Sequence, residues 1–285
     1  MELASVQEQK WFVRLLLKSM GLGLTQEKVF QVIHAEAKNL YLKCNNLERV
    51  CRLVAENRID VIGSPEVIEP MQFVRPQLCE IFPGNVETLM AADVIYLETK
   101  MDGERFQLHF LNDTYKYISR NGVDYTYRFG DSVSVGSLTP RLELLMPLGL
   151  SSIIMDGEMM VWNGSRFCVK GENVDVKHLK PTGSQEPCFV AYDLLYLNGV
   201  SYLDLPYAQR THKLRELLRE EEGVLQVMKP VKISSVEQFK ALFQAALDDG
   251  EEGIVLKKQN AVYRPGTRNG GGWFKAKADV SMAWN

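Results

Sequence analysis

Residues 98–110 read ETKMDGERFQLHF. A lysine closes an apolar strand, Asp102-Gly103 follows at once, and Glu104-Arg105 lead into the next strand. Two readings compete. One is a hairpin with a charged turn, in which Lys100 is simply solvated. The other is a reactive amine displayed at a strand end, with Asp102-Gly103 supplying a tight turn beside it. An amine is nucleophilic only when part of it is neutral near pH 7. Desolvation and a neighbouring cation, here Arg105, are the effects that free it. Within these thirteen residues the solvated lysine is the commoner case.

Working outward, Phe106, Leu108 and Phe110 alternate with Arg105, Gln107 and His109, which is a strand period. Asn112-Asp113 turns the chain into Tyr115, Tyr117 and Ser119, and Asn121-Gly122 turns it again. Ile153–Trp162 and Cys188–Leu197 read as further strands, closed by Asn163-Gly164 and Asn198-Gly199. Ser235 and Gln238 form a capping box for a helix with Val236, Phe239, Leu242, Phe243 and Ala246 on one face and Gly250 at its end. Upstream the text is helical. Trp11, Leu15, Leu16 and Met20 follow a helical period that Gly21 and Gly23 break. Thr25 caps a helix carrying Val29, Phe30 and Ile33, and Leu47, Val50, Cys51 and Val54 mark another. Stripes this apolar read as core-facing. Between the halves, GSPEVIEPMQFVRPQLCEIFPG holds four prolines and two glycines and reads as a linker. The expected class is α+β, with helices first and an antiparallel-rich region after them.

Composition narrows the partners. The 285 residues are 46% hydrophobic and 24% charged, with net charge −3, so a nucleic-acid partner needs a local basic surface. Cys44, Cys51, Cys79, Cys168 and Cys188 contain no CxxC pair, which suits reduced thiols in the cytosol or nucleus, and four scattered histidines suggest no zinc site. MELASVQEQKW does not read as a signal peptide, and no apolar run is long enough for a bilayer.

Three further segments carry charge where strands are expected. In Met155–Met160, MDGEMM, two carboxylates sit in an apolar strand, which is costly unless they are paired or coordinated. Glu158 shares a face with Met160 and Trp162 and suits a metal, a ribose hydroxyl or a basic partner, while Asp156-Gly157 is equally a bulge or a turn. Glu251–Lys257 reads EEGIVLK. In Trp273–Lys277, alternation places Lys275 and Lys277 on one face and Phe274 and Ala276 on the other, which suits a polyphosphate. From Glu251 onward there are six basic and three acidic residues, against the acidic balance of the whole. Taken singly, each segment is also a credible solvated edge strand.

Their order is the specific signal. KxDGxR at Lys100–Arg105, then Ser119-Arg120-Asn121-Gly122, DGE at 156–158, Tyr192-Asp193, EGIVLK at 252–257 and WxKxK at 273–277 form the motif series of covalent nucleotidyltransferases. The chain resembles ATP-dependent DNA ligases, which share the series with RNA ligases and mRNA capping enzymes. EQKWFVRLLLKSMGLGLTQEKVFQVIHAEA resembles the end of the all-helical DNA-binding domain of eukaryotic ligases, and FVRPQL resembles the linker into their core. DGERFQLHFLNDTYKYISRNGVDYTYRFG, FCVKGENVDVKHL and EEGIVLKKQNAVYRPGTRNGGGWFKAK look most like the ligase IV type, which acts in non-homologous end joining.

The resemblance implies roles by position. Lys100 attacks the α-phosphate of ATP and holds AMP as a phosphoramidate, which passes to a DNA 5′-phosphate before the strand is sealed. Glu98, with Thr99 and Met101, reads the adenine edge, and Tyr192, where the family often has Phe, stacks on the ring. Arg105 and Arg120 contact sugar and phosphate. Glu158 serves the ribose or a metal, Glu252 helps hold Mg²⁺, and Lys170, Lys257, Lys275 and Lys277 neutralise phosphates. The implied division is residues 1–70 as the C-terminal part of the DNA-binding domain and 71–285 as an ATP-grasp-like nucleotidyltransferase domain. The implied partners are DNA nicks or double-strand-break ends, in the nucleus. Ligases continue into an OB-fold and, in this type, BRCT repeats that dock end-joining factors. The sequence stops at KADVSMAWN, with Ala278-Asp279-Val280 departing from the family's acidic-aromatic continuation. The expectation is therefore a fragment that supports at most the adenylation step. A capping-type guanylyltransferase using the same lysine with GTP, an RNA ligase, a non-catalytic nucleotide-binding fragment and a helical scaffold stay open as alternatives.

Overall fold

The computed structural model describes residues 4–17, 19, 21, 23–63, 67–168, 172, 175–179 and 183–277. Four helices come first. In α1 (Val6–Leu16), Ser5 and Glu8 form a reciprocal capping box, and α2 (Gln26–Ile33) starts at a Thr25 cap. Asn45, at φ 46°, ends α3 (Ala37–Cys44), and Asn46 caps α4 (Leu47–Ala55). Phe30, Leu40, Cys44, Val50 and Leu53 are buried as an amphipathic reading requires, although Val29 and Cys51 face outward. The stripe on α1 is the exception. Among the described residues α1 buries nothing, and Trp11, Leu15 and Leu16 are 38%, 61% and 66% exposed. Met20 lies outside the described residues.

The proline-rich stretch is packed rather than loose. Phe73, Val74, Gln77 and Phe82 are buried, and the Gln107 amide clamps Val74 from both sides, accepting from its N–H at 3.1 Å and donating to its carbonyl at 2.6 Å. This stretch ends in β1 (Glu80–Ile81) and leads to α5 (Val86–Ala92) and β2 (Ile95–Thr99). There follow β3 (Glu104–Leu111), β4 (Thr114–Ser119), α6 (Thr126–Phe129), α7 (Thr139–Leu142), β5 (Ser152–Trp162) and β6 (Glu186–Leu197). The chain continues through β7 (Val200–Ser201), α8 (Tyr207–Leu217), β8 (Leu225–Val227), β9 (Val231–Lys232), α9 (Val236–Asp248), β10 (Gly253–Lys258) and β11 (Trp273–Lys277).

These strands form two sheets. One runs β1-β11-β10-β2-β9 and the other β4-β3-β5-β6-β7, with β8 alongside β6. Pairing is antiparallel except for β1 with β11 and β6 with β8. The hairpin reading of residues 98–110 therefore fails: β2 and β3 do not pair but belong to different sheets, and Lys100–Gly103 carries the chain from one to the other. Gly103 is required there by close approach rather than by a left-handed turn. A Cβ on it would lie 2.6 Å from the Met159 carbonyl oxygen and 2.5 Å from Met160 Sδ.

Burial on both sheets fixes their separation. Phe106, Leu108, Tyr117, Met155, Phe189 and Leu194 fill one core under the six-stranded sheet. Leu97, Ile254, Leu256 and Ala276 pack on Phe239 and Phe243 of α9 in another. A third core joins Phe30, Leu40 and Val50 of the helical segment to Ile154, Leu195, Tyr207, Tyr263 and Trp273. Between the sheets a cleft is left open.

Candidate active site

The cleft holds a cavity of about 400 Å³. Glu98, Thr99, Lys100 and Met101 reach it from the end of β2, Arg105 from β3, Arg120 from the turn after β4, and Glu158 from β5. Tyr192 of β6, Glu252 just before β10, Lys257 of β10, and Lys275 and Lys277 of β11 complete it. Twelve of the thirteen residues expected from sequence thus line one cavity. The thirteenth, Lys170, lies outside the described residues.

Lys100 is positioned by continued strand pairing. Its N–H donates to the Gly253 carbonyl at 2.9 Å, which sets its side chain beside Glu252. The Lys100 and Lys277 ammonium groups each pair with one oxygen of Glu252. Burial works against the charge of this carboxylate, but the hydrogen bonds from Lys100 and Lys277 prevail and hold Glu252 below the usual carboxylate range. Sequence reading expects Arg105 to act as the cation near Lys100. In the structure a carboxylate touches the amine, and the Arg105 guanidinium is committed elsewhere. It grips Asp156 with Nε–Oδ1 at 3.0 Å and Nη2–Oδ2 at 2.6 Å, and donates to the Gln77 carbonyl at 2.6 Å.

Asp156 is the organising residue that sequence reading left ambiguous. It is fully buried, and Tyr263 donates to its Oδ2 at 2.7 Å and Tyr192 to its Oδ1 at 3.4 Å. Asp156 faces Asp193 and Gly157 faces Ala191, so the extra residue at this register shift is Tyr192 on β6, and Asp156-Gly157 itself is neither bulge nor turn but continuous strand. Gly157 is required by close approach, since a Cβ would lie 2.5 Å from Phe189 Cζ. Burial pushes the Tyr192 hydroxyl well above its ordinary value, and the ring presents a fixed aromatic wall with Arg105 5.7 Å from its centroid.

Two of the expected residues already have partners within the protein. Glu98, read as facing adenine, is buried with its carboxylate engaged. Tyr207 donates to Oε1, and Lys257 Nζ lies 2.7 Å from Oε2, out of hydrogen-bonding alignment. Lys257, read as a phosphate ligand, is only 2% exposed and sits among the rings of Trp273, Tyr192 and Tyr207 at 4.2, 4.9 and 4.9 Å. Lys275 and Lys277 keep the partly exposed face predicted by alternation, while Phe274 and Ala276 are buried. Gln77, Tyr207, Tyr263 and Arg268, which also lines the cavity, were not expected as site residues; Gln77, Tyr263 and Arg268 lie in stretches that carry the resemblance but outside the short motifs that single out site residues.

The donor set was tested against ATP and a divalent cation. Lysines and arginines around a cavity of this size suit a nucleoside triphosphate. No cluster of three or more acidic, histidine or cysteine side chains that could hold a metal exists among the described residues. Burial pushes the Glu158 carboxyl up to about 8 despite Arg105 and Lys100, and Glu252 is shared by two lysines. These two carboxylates by themselves do not make a Mg²⁺ site, which takes several oxygen ligands.

Residues 76–277 match the ATP-dependent DNA ligase domain family. The chain belongs to that family. It is 33% identical over 275 residues to DNA ligase 4 of Gallus gallus, covering 95% of this chain and 30% of that protein. DNA ligase 4 of Homo sapiens is 32% identical over 279 residues (97% and 30%), and that of Saccharomyces cerevisiae 28% over 287 residues (96% and 30%). The chain spans about 30% of the length of these relatives. The ligase domain of LigD from M. tuberculosis superposes with a TM-score of 0.52 at 22% identity, covering 71% of this chain and 59% of that one. A mycobacterial DNA ligase D complexed with ATP and MES gives 0.50 at 21% (72% and 60%), and a chain titled Pmar-Lig_Pre gives 0.53 at 15% (95% and 55%). These structures share the mixed α/β fold of this DNA ligase domain.

Proposed function

We propose that this chain carries out the adenylation step of an ATP-dependent DNA ligase of the ligase IV type, serving double-strand-break repair by end joining. The observation that carries the reading is Lys100 Nζ in a cationic cavity at the crossing between the sheets, touching Glu252 and sharing it with Lys277. Its nitrogen forms a bond to the α-phosphorus of ATP while the bond to the β-phosphate oxygen breaks and pyrophosphate leaves. Glu252, already in contact with the amine, stands ready to take the proton that it sheds. Lys275, Lys277 and Arg120 neutralise the phosphates, and the Tyr192 wall, fixed by Asp156 and Arg105, takes the adenine ring. Glu158 and Glu252 would hold Mg²⁺ together with the phosphates, and the ion would supply charge neutralisation. AMP then passes to a DNA 5′-phosphate. The proposed division places the helical DNA-binding segment before about residue 70, supported by a family match that begins at residue 76.

The test is incubation with α-labelled ATP and Mg²⁺. Covalent label that pyrophosphate discharges, and that Lys100→Ala abolishes, is the expected result. Label that survives in Lys100→Ala, or none in the native chain, contradicts the reading. Labelling by GTP in preference to ATP moves the protein to the capping class.

A further inference from the structure

Tyr127 exposes 74% of its surface in the short helix α6, yet its ring is held in place. It lies nearly parallel to Tyr125, with centroids 6.2 Å apart and planes 23° apart. The Arg128 guanidinium carbon sits 5.5 Å from the Tyr127 centroid, and its Nε donates to the Tyr127 hydroxyl at 3.2 Å. On the other side, Lys177 Nζ lies 5.5 Å from the Tyr125 centroid and 2.6 Å from Glu104 Oε2. Glu104 lines the adenylation cavity. A continuous ladder of cation, ring, ring and cation therefore starts at the rim of the site and runs outward over the surface.

The ladder rests on a fixed base. Tyr125 meets Phe106 edge-on at 5.6 Å, and its N–H donates to the Tyr117 carbonyl. Thr126 Oγ1 accepts from the Tyr117 N–H at 3.0 Å, and Phe129 is buried below. The neighbouring carboxylates are occupied: Asp124 accepts from the Thr126 N–H and pairs with Lys116, and Asp175 accepts from the Lys177 N–H and His178. Lys177 pairs with Glu104 and Lys116 with Asp124, so the surface is close to neutral, and the cation it offers a phosphate is Arg128 beside the exposed Tyr127 ring.

We propose that the Lys177–Tyr125–Tyr127–Arg128 ladder binds the unpaired bases of a single-stranded DNA overhang next to the adenylation cavity. The Tyr127 ring, 74% exposed, offers stacking surface, and Arg128 can turn from the Tyr127 hydroxyl to a phosphate, which is the sequence-tolerant chemistry of single-strand binding, while Tyr125 and Lys177 hold the ring in place. A paired duplex hides its base faces, so the ladder discriminates unpaired from paired ends. The proposal rests on the DNA-ligase reading above and deepens it.

The experiment compares the native chain with Tyr127→Ala, Tyr127→Phe and Arg128→Ala. Binding to duplexes with a short overhang and to blunt duplexes of the same sequence is measured at one salt concentration, with heparin as a base-free competitor. Labelling by ATP is followed in parallel to report the fold and the first reading separately. Tyr127→Ala is expected to weaken overhang binding roughly 5- to 100-fold and to leave blunt binding and ATP labelling unchanged. Arg128→Ala weakens overhang binding less, and Tyr127→Phe retains it. Equal losses on both DNAs, no overhang preference in the native chain, or no loss in Tyr127→Ala overturns the ladder. Loss of ATP labelling in the native chain with overhang preference intact overturns the adenylation reading alone.

Discussion

Arg210 and Lys100 are both cations held by carboxylates, in opposite settings. Arg210 is fully buried and gives four hydrogen bonds: to the two oxygens of Asp193 at 2.7 and 2.9 Å, and to the carbonyls of Leu205 and Ala261 at 2.5 and 2.9 Å. That pair is saturated and ties α8 to β6. Lys100 keeps 23% of its side chain exposed and shares one carboxylate with Lys277, whose side chain is 40% exposed. It can exchange its partner for a substrate. On the proposed function, the difference separates a cation that secures the fold from one that reacts.

Substitutions sharpen this contrast. Arg210→Ala leaves Asp193 charged, buried and unpaired, so chemical denaturation should show a loss of about 3–5 kcal/mol. Glu252→Gln should instead leave stability nearly unchanged while slowing ATP labelling about 10²-fold, the usual scale for losing a positioned acid–base group. A variant in which these two effects are exchanged would break the comparison. The Glu158 carboxyl offers a pH test without substrate or divalent metal. Its value is raised from 4.5 to about 8, so the folded state holds a proton that the unfolded state has lost between those limits. Stability should fall as pH rises across that window, by up to about 1.4 kcal/mol per unit, and less because the group is half-buried. Glu158→Gln should flatten the slope in thermal denaturation. The smallest effect belongs to α1: Leu16→Ala should change stability by less than about 0.5 kcal/mol, whereas Phe239→Ala on α9 should cost about 3–5 kcal/mol.

That last pair shows where sequence stops being legible. Both helices carry a capping box or Ser cap and an apolar stripe, yet α9 buries Phe239, Phe243 and Ala246 and α1 buries none of its own. Periodicity identifies a face but not a neighbour. The same limit explains the hairpin error. Lys100–Gly103 looks like a turn because local pattern cannot show that β2 and β3 pair with different strands. The motifs that line the cavity were legible because each is continuous in sequence and their order is specific. Asp156, Gln77 and Tyr263 meet Arg105 only in three dimensions, from segments far apart in the chain, so no local signal marks their convergence.

The central claim is that Lys100 is the nucleophile. It is tested most directly by incubating the chain with ATP and Mg²⁺, digesting it under conditions that preserve phosphoramidates, and locating AMP by mass spectrometry. The account predicts AMP on the peptide containing Thr99-Lys100-Met101, attached at Lys100. AMP attached to Lys257, Lys275, Lys277 or any other residue while Lys100 stays unmodified would contradict it.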